Sequence, residues 1–212
     1  MPTVPRHTLP ALASIYVLNG TSSSGKTSLA RALQARLEAP TQHLQLDAFR
    51  GMEPNGYWEA WDQQDPRLVA LKHAALCRAM HAALTEYVSH GVDVIFDTVL
   101  WHREDWRYLL EDLDALPVYL VGVNCGLDEI SRREQLRGDR DLGLAAGQFK
   151  AIHTGKVYDF QVDTTAASSE QCAGEVLDWL GTRPQARAFK AMQSSFGITL
   201  APERVPPVAC AA

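Results

Sequence analysis

Eight consecutive residues, Gly20 to Thr27 (GTSSSGKT), have the types and spacing of a Walker A phosphate loop. They follow the apolar run Ile15 to Leu18 and precede a helical stretch, Ser28 to Glu38, which is the strand, loop and helix setting the motif requires. Gly20 and Gly25 let the backbone curl so that the N–H groups of the intervening Thr21, Ser22, Ser23 and Ser24 turn inward toward phosphate oxygens. The positive end of the following helix adds to that attraction. Lys26 is placed to reach the β- and γ-phosphates, and the Thr27 hydroxyl to take a ligand position on Mg²⁺. The expected ligands are therefore a nucleoside triphosphate and Mg²⁺. The octapeptide does not say which group receives a phosphate.

Two acids and a basic cluster are the next candidates. Thr41 to Leu46 reads as a strand that ends at Asp47, where a carboxylate can orient an acceptor hydroxyl and take its proton. The other reading of Asp47 is a cap or turn residue before Ala48 and Phe49. Val92 to Phe96 reads as a strand that ends at Asp97, the acidic residue of a Walker B element, placed to hold Mg²⁺ through a water or to orient the substrate. Its other reading is a loop cap. Arg132, Arg133, Arg137 and Arg140 surround Gly138 and Asp139 and precede Gly143 and Gly147. Arginines on a glycine-flanked segment suit a mobile lid that neutralises developing charge, with Arg137 and Arg140 ahead of Arg132. The alternative is a solvated face paired with Glu129, Glu134 and Asp141. Met52, Tyr57, Trp58 and Trp61 form either an apolar platform for a small-molecule alcohol or a loop pinned to the core by its aromatics.

The elements that must position these groups alternate between strand and helix. After the first strand–helix pair and the strand Thr41 to Leu46, apolar residues recur at helical spacing from Arg67 to His90, with Gly91 as the stop. Helices are further expected at Arg103–Ala115, Asp128–Arg137, Gln148–His153 and Ser169–Leu180, and strands at Val118–Val123 and Tyr158–Val162. Gly138 to Gly147 is the expected mobile segment. Such alternation implies an α/β fold with a parallel sheet and helices on both faces, its ligands lying beyond the carboxyl ends of the strands.

Composition narrows the class. The chain has 212 residues, is 46% hydrophobic and carries a net charge of -5. That length buries a substantial core as one domain. Its pI near 5.8 argues against a broad footprint for nucleic acid or an anionic membrane surface. No apolar run reaches the roughly 20 residues that span a bilayer, and the N-terminus lacks a signal-peptide pattern, so a cytoplasmic protein is expected. Residues 1–12 read as a disordered leader, 13–183 as the catalytic domain and 184–212 as an extension, with a helix near Gln185–Gln193, that packs on the domain, mediates contacts between copies or stays mobile. Four dispersed cysteines, Cys77, Cys125, Cys172 and Cys210, predict no disulfide. His73, Cys77 and His81 share a helix face, but three ligands from adjoining turns of one straight helix rarely converge on one ion.

Several of these residues also carry a resemblance. LNG into SSSGKT, Asp47, VGVNC at Val121–Cys125, and RGDRDLGLAAGQ leading to His153, Gly155, Tyr158-Asp159 and VDTT at Val162–Thr165 resemble the chloramphenicol phosphotransferase family from about Ala13 to Thr182. The resemblance implies an ATP-dependent O-phosphotransferase with a three-layer P-loop kinase fold, the acid at Asp47 as catalytic base, and Arg137 and Arg140 in the lid. Antibiotic inactivation is the family's namesake activity. A kinase of another metabolite or nucleotide, and an ATP-sensing module without transfer, are the alternatives. The chain departs from the family pattern at residues 48–66 and at Thr98, where an acid is expected, and these are the positions that would select the acceptor.

Overall fold

The computed structural model describes residues 13–54, 65–137 and 143–198. Five strands, β1 (Ile15–Asn19), β2 (Thr41–Gln45), β3 (Asp93–Thr98), β4 (Val118–Asn124) and β5 (Phe160–Asp163), form one sheet in the order β2-β3-β1-β4-β5. Every pairing is parallel, with Leu18 opposite Asp97 on one side and Val121 on the other. Side chains alternate across the sheet with a period of two, so both faces must be apolar. Ile15, Val17, Val94, Phe96, Val118 and Leu120 build one core, and Leu18, Ile95, Val121, Val123 and Val162 the other.

Helices cover both faces. Over the second core lie α1 (Lys26–Gln34), through Leu29, Ala30 and Leu33, and α7 (Ser169–Gly181), through Cys172, Ala173 and Val176. The start of α7 is fixed by a capping box in which Ser168 and Gln171 satisfy each other's backbone N–H groups. The first core is covered by α3 (Pro66–Ser89) and α4 (Arg103–Asp112). Pro66 and the Asp65 carboxylate, which accepts from Arg67 N at 2.9 Å, set the start of α3. Gly91 lies just beyond its end at φ 75°, which confirms the expected stop. Three short helices complete the described fold: α2 (Leu46–Arg50), α6 (Leu144–Phe149) and α8 (Ala188–Ser195), with α5 (Leu127–Arg137) between β4 and α6. Trp106 of α4 is fully buried and donates its indole N–H to Leu100 O at 2.8 Å.

Several boundaries differ from the sequence-based expectation. β2 stops at Gln45 and Leu46 already begins α2, so Asp47 sits in the first turn of a helix rather than closing a strand. Asp97 is inside β3, because pairing with Leu18 and Gln45 continues through it to Thr98. The helix expected at Gln148–His153 is instead Leu144–Phe149, overlapping the end of the segment expected to be mobile, whose residues 138–142 lie outside the described residues; the Glu134 carboxylate accepts from Gly143 N at 2.8 Å and Ala145 N at 3.0 Å and so fixes its first turn. The C-terminal helix is shifted to Ala188–Ser195, and Ala188, Phe189 and Met192 enter the first core. Asp159 organises that junction: one carboxylate oxygen accepts from Arg187 N and Ala188 N, the other from Leu120 N.

His73 and His81 turn toward carboxylates of α4 rather than toward each other. His73 Nε2 lies 2.6 Å from Asp105 Oδ1 and 3.6 Å from Cys77 Sγ, and His81 Nδ1 lies 2.8 Å from Asp112 Oδ2. The first distance is that of a direct hydrogen bond, shorter than the about 3.3 Å separating two ligands of a tetrahedral zinc ion. The bonds to Asp105 and then to Cys77 outweigh desolvation and raise the His73 pKa from 6.5 to about 10. A raised pKa means that the folded state holds the proton more tightly. The pair therefore stabilises fully below pH 6.5 and loses its contribution as pH rises toward 10. Thermal unfolding across that window is expected to show a decline for the wild type that His73→Gln flattens. Parallel curves would exclude the pair as its source.

Candidate active site

The connection from β1 to α1 is shaped by close packing. A Cβ on Gly20 would stand 2.4 Å from the Val123 carbonyl oxygen and 2.8 Å from Ser24 Oγ, so only glycine fits. Gly25, at φ 92°, is the N-cap of α1, in a left-handed conformation that a side chain would strain. The hydroxyls of Thr21, Ser22, Ser23 and Ser24 are all buried with no hydrogen-bond partner among the described residues. An unmet buried hydroxyl costs about 1–3 kcal/mol. Four in a row therefore suit an oxygen-rich anion able to accept from them. Thr164 braces the loop by donating its hydroxyl to Ser24 O at 2.6 Å, and Arg133 holds Thr164 in turn through its carbonyl at 2.6 Å.

Charge converges on the first turn of α1. Lys26 is 6% exposed and its Nζ donates to Thr21 O at 2.6 Å. The Thr27 hydroxyl donates to Asp97 Oδ2 at 2.6 Å, and His43 Nε2 of β2 stands 3.7 Å from the same oxygen. Burial alone would push the Asp97 carboxyl up, but the neighbouring His43 ring, the Lys26 charge and the Thr27 hydroxyl together outweigh it. The group is held below the usual carboxylate range. An ionised, buried carboxylate beside a hydroxyl is a set of hard oxygen donors that fits Mg²⁺.

These residues face a cleft of about 540 Å³. Ser22, Ser23, Gly25, Lys26 and Thr27 form its floor, Gln45 to Asp47 and Asp97 to Val99 one wall, and Arg133, Leu136, Thr164 and Ala167 to Ser169 the other. Asp47 is exposed on the first wall, two residues beyond the end of β2. The cleft lies at the carboxyl ends of the parallel strands, as the fold requires.

Most of the residues singled out from the sequence thus meet in one place. Arg137 is the last residue of α5, and only its backbone is described. Arg140, Tyr57, Trp58 and Trp61 lie outside the described residues. Met52 is 73% exposed and does not line the cleft. Arg132 and Arg133 both pair with Glu129 at 2.7 Å, as the surface alternative expects, but Arg132 is 59% exposed whereas Arg133 is partly buried and lines the cleft.

The chain aligns with the family described as chloramphenicol phosphotransferase-like protein over residues 13–181. It belongs to that family. Proteins from two strains of Mycobacterium tuberculosis that bear the provisional name O-phosphotransferase are 32% identical over 213 residues, covering 90% of this chain and 95% of theirs. Among solved structures, the APS kinase of Mycobacterium tuberculosis overlays with a TM-score of 0.62 at 18% identity, covering 81% of this chain and 99% of that one. A gluconokinase from Sinorhizobium meliloti gives 0.57 at 18%, covering 87% and 98%. The tunicamycin resistance protein of Deinococcus radiodurans gives 0.55 at 20%, covering 90% and 99%. The fold of this chloramphenicol phosphotransferase-like protein is that of the P-loop kinases, an α/β arrangement with a five-stranded parallel sheet between helices. Among the described residues no helix is long and apolar enough to cross a membrane.

In this family member the sequence left Arg133 unranked within the basic cluster, offered Glu134 only as a surface ion-pair partner and Thr164 and Gln148 only as positions of the distal motif, and gave His43 no role. Arg133 was legible as part of a basic cluster. Its distinction comes from Thr164, 31 residues away, which turns its guanidinium over the loop. The His153 and Tyr158 positions of the distal motif are structural supports: Tyr158 OH accepts from Asn19 Nδ2 at 2.8 Å and pairs with His153 Nδ1 at 2.8 Å. Burial pushes the Tyr158 hydroxyl up to about 12, so it remains protonated.

Proposed function

We propose that this chain transfers the γ-phosphate of ATP to a hydroxyl of a small molecule. The observation that carries the reading is the convergence of Lys26, the Thr27–Asp97 pair and Asp47 on one cleft beyond the strand ends. The loop hydroxyls, with those loop N–H groups not already paired as Ser22 N is with Gln148 and Ser24 N with Thr21 O, hold the triphosphate, and Lys26 balances charge on its β- and γ-phosphates. Thr27 and Asp97 would hold Mg²⁺, which supplies further neutralisation of the phosphate oxygens when bound. Asp47 receives the acceptor's proton as its oxygen forms a bond to the γ-phosphorus. The bond from that phosphorus to the bridging oxygen breaks in line, and ADP leaves with the electron pair. Arg133 adds positive charge on the opposite wall, and Arg137 and Arg140 are proposed to do so from the following segment. Residues 48–66, including Tyr57 and Trp58, are proposed to select the acceptor.

Transfer of labelled γ-phosphate from Mg·ATP to chloramphenicol, beside a panel of other alcohols and nucleosides, tests this directly. Labelled chloramphenicol would establish the namesake reaction. Label on another hydroxyl would move the assignment to a different metabolite, and nucleotide binding with no labelled acceptor would favour an ATP-sensing module.

A further inference from the structure

The peptide group joining Thr21 to Ser22 is held from both of its ends. Its carbonyl accepts from Lys26 Nζ at 2.6 Å, and its N–H donates to Gln148 Oε1 at 2.9 Å. A trans peptide directs its C=O and N–H to opposite sides, so the orientation of one fixes that of the other. Lys26 and Gln148 are 6% exposed each, so neither bond is open to substitution by bulk water. Hydrogen bonds that share a peptide in a poorly solvated setting also polarise one another. The peptide that the Lys26 ammonium bonds is thus also bonded by a side chain 126 residues further along the chain from Ser22.

Gln148 is itself firmly placed. It lies on α6, whose first turn is gripped by the buried Glu134 carboxylate through Gly143 N and Ala145 N. Glu134 belongs to α5, the helix that also carries Arg133 and Arg137. Ala145 packs with Cys125 and Ile130 beneath it. A continuous set of buried contacts therefore runs from the arginine-bearing helix through α6 to the peptide that holds Lys26.

We infer that Gln148 is a positioning residue for Lys26, setting the Thr21–Ser22 peptide so that the ammonium is aligned for the β- and γ-phosphates. The inference rests on the reading of Gly20 to Thr27 as a triphosphate site. Gln148→Leu keeps comparable bulk and removes the acceptor, leaving a buried N–H unmet and the peptide held only through its carbonyl, by Lys26 Nζ at 2.6 Å and Ser24 N at 3.3 Å. In the full chain with Mg²⁺, calorimetric affinity for ATP and for ADP is expected to fall about tenfold or more, while affinity for AMP, which lacks the phosphates Lys26 reaches, stays within about twofold. In a Lys26→Ala background the same substitution is expected to add less than about twofold, because its effect passes through the missing ammonium. Gln148→Met, flexible and equally without an acceptor, serves if the Leu variant does not fold.

Equal weakening of ATP, ADP and AMP would overturn the inference, since it would mark a general loosening of the loop. Additive losses with Lys26→Ala, or wild-type ATP affinity in both Gln148 variants, would overturn it as well. A wild-type chain that binds no ATP at all would instead remove the triphosphate reading beneath it.

Discussion

Asp47→Asn is expected to lower the rate of phosphate transfer by about 10²–10⁴-fold, the range that a positioned general base contributes. Asparagine preserves the shape of the side chain and its acceptor carbonyl but cannot take a proton from the attacking hydroxyl. Asp47 lies on the wall of the cleft opposite Arg133, in the first turn of α2, and is not part of the loop that holds the phosphates. Mg·ATP affinity is therefore expected to stay within about twofold, so the defect is in kcat and not in nucleotide binding. Single-turnover transfer beside equilibrium ATP binding separates the two. Turnover near the wild-type rate would remove Asp47 as the base and direct attention to another carboxylate in the same cleft, with Asp97 the first to examine.

Lys26→Ala should damage both steps. The ammonium is buried at the floor of the cleft, and its loss strips positive charge from the ground-state triphosphate and from the group in flight. It also leaves the Thr21 carbonyl without the donor it meets at 2.6 Å. ATP affinity and the transfer rate should fall together, with a combined loss in kcat/KM of at least about 10²–10³-fold. Arginine is not expected to restore it, because a planar guanidinium cannot occupy a site shaped around a compact ammonium. Unchanged kinetics in Lys26→Ala would detach the phosphate loop from the reaction. Against these two variants the Gln148 substitutions occupy a middle position, since they displace the ammonium without removing it.

The legible part of the protein lies where structure follows from neighbours along the chain. The loop Gly20 to Thr27, its flanking strand and helix, and the alternation that yields a parallel sheet depend on periodicity and on turn residues within a short span. Asp47 and Asp97 were recognisable as acids near strand ends, even though α2 begins one residue before Asp47 and β3 runs on through Asp97. Those two boundaries shifted because strand ends are set by pairing partners, here Gln45 and Leu18, which local pattern does not reveal. The acceptor-selecting residues gave no such signal, because aromatics in a loop serve binding and packing equally well.

By itself, then, the sequence determined the class of fold and the chemistry of the phosphate loop, because glycine geometry, a lysine and a hydroxyl at fixed offsets act locally. Only the tertiary structure decided which other groups join them. Thr27 meets Asp97 across 70 residues and Ser22 meets Gln148 across 126, and the tail helix α8 enters the first core through Ala188, Phe189 and Met192. Such contacts follow from sheet order and helix packing, in which each side chain's partner is chosen by the register of distant strands. They are also why Arg133, bound to Thr164, lines the cleft while its neighbour Arg132 faces solvent.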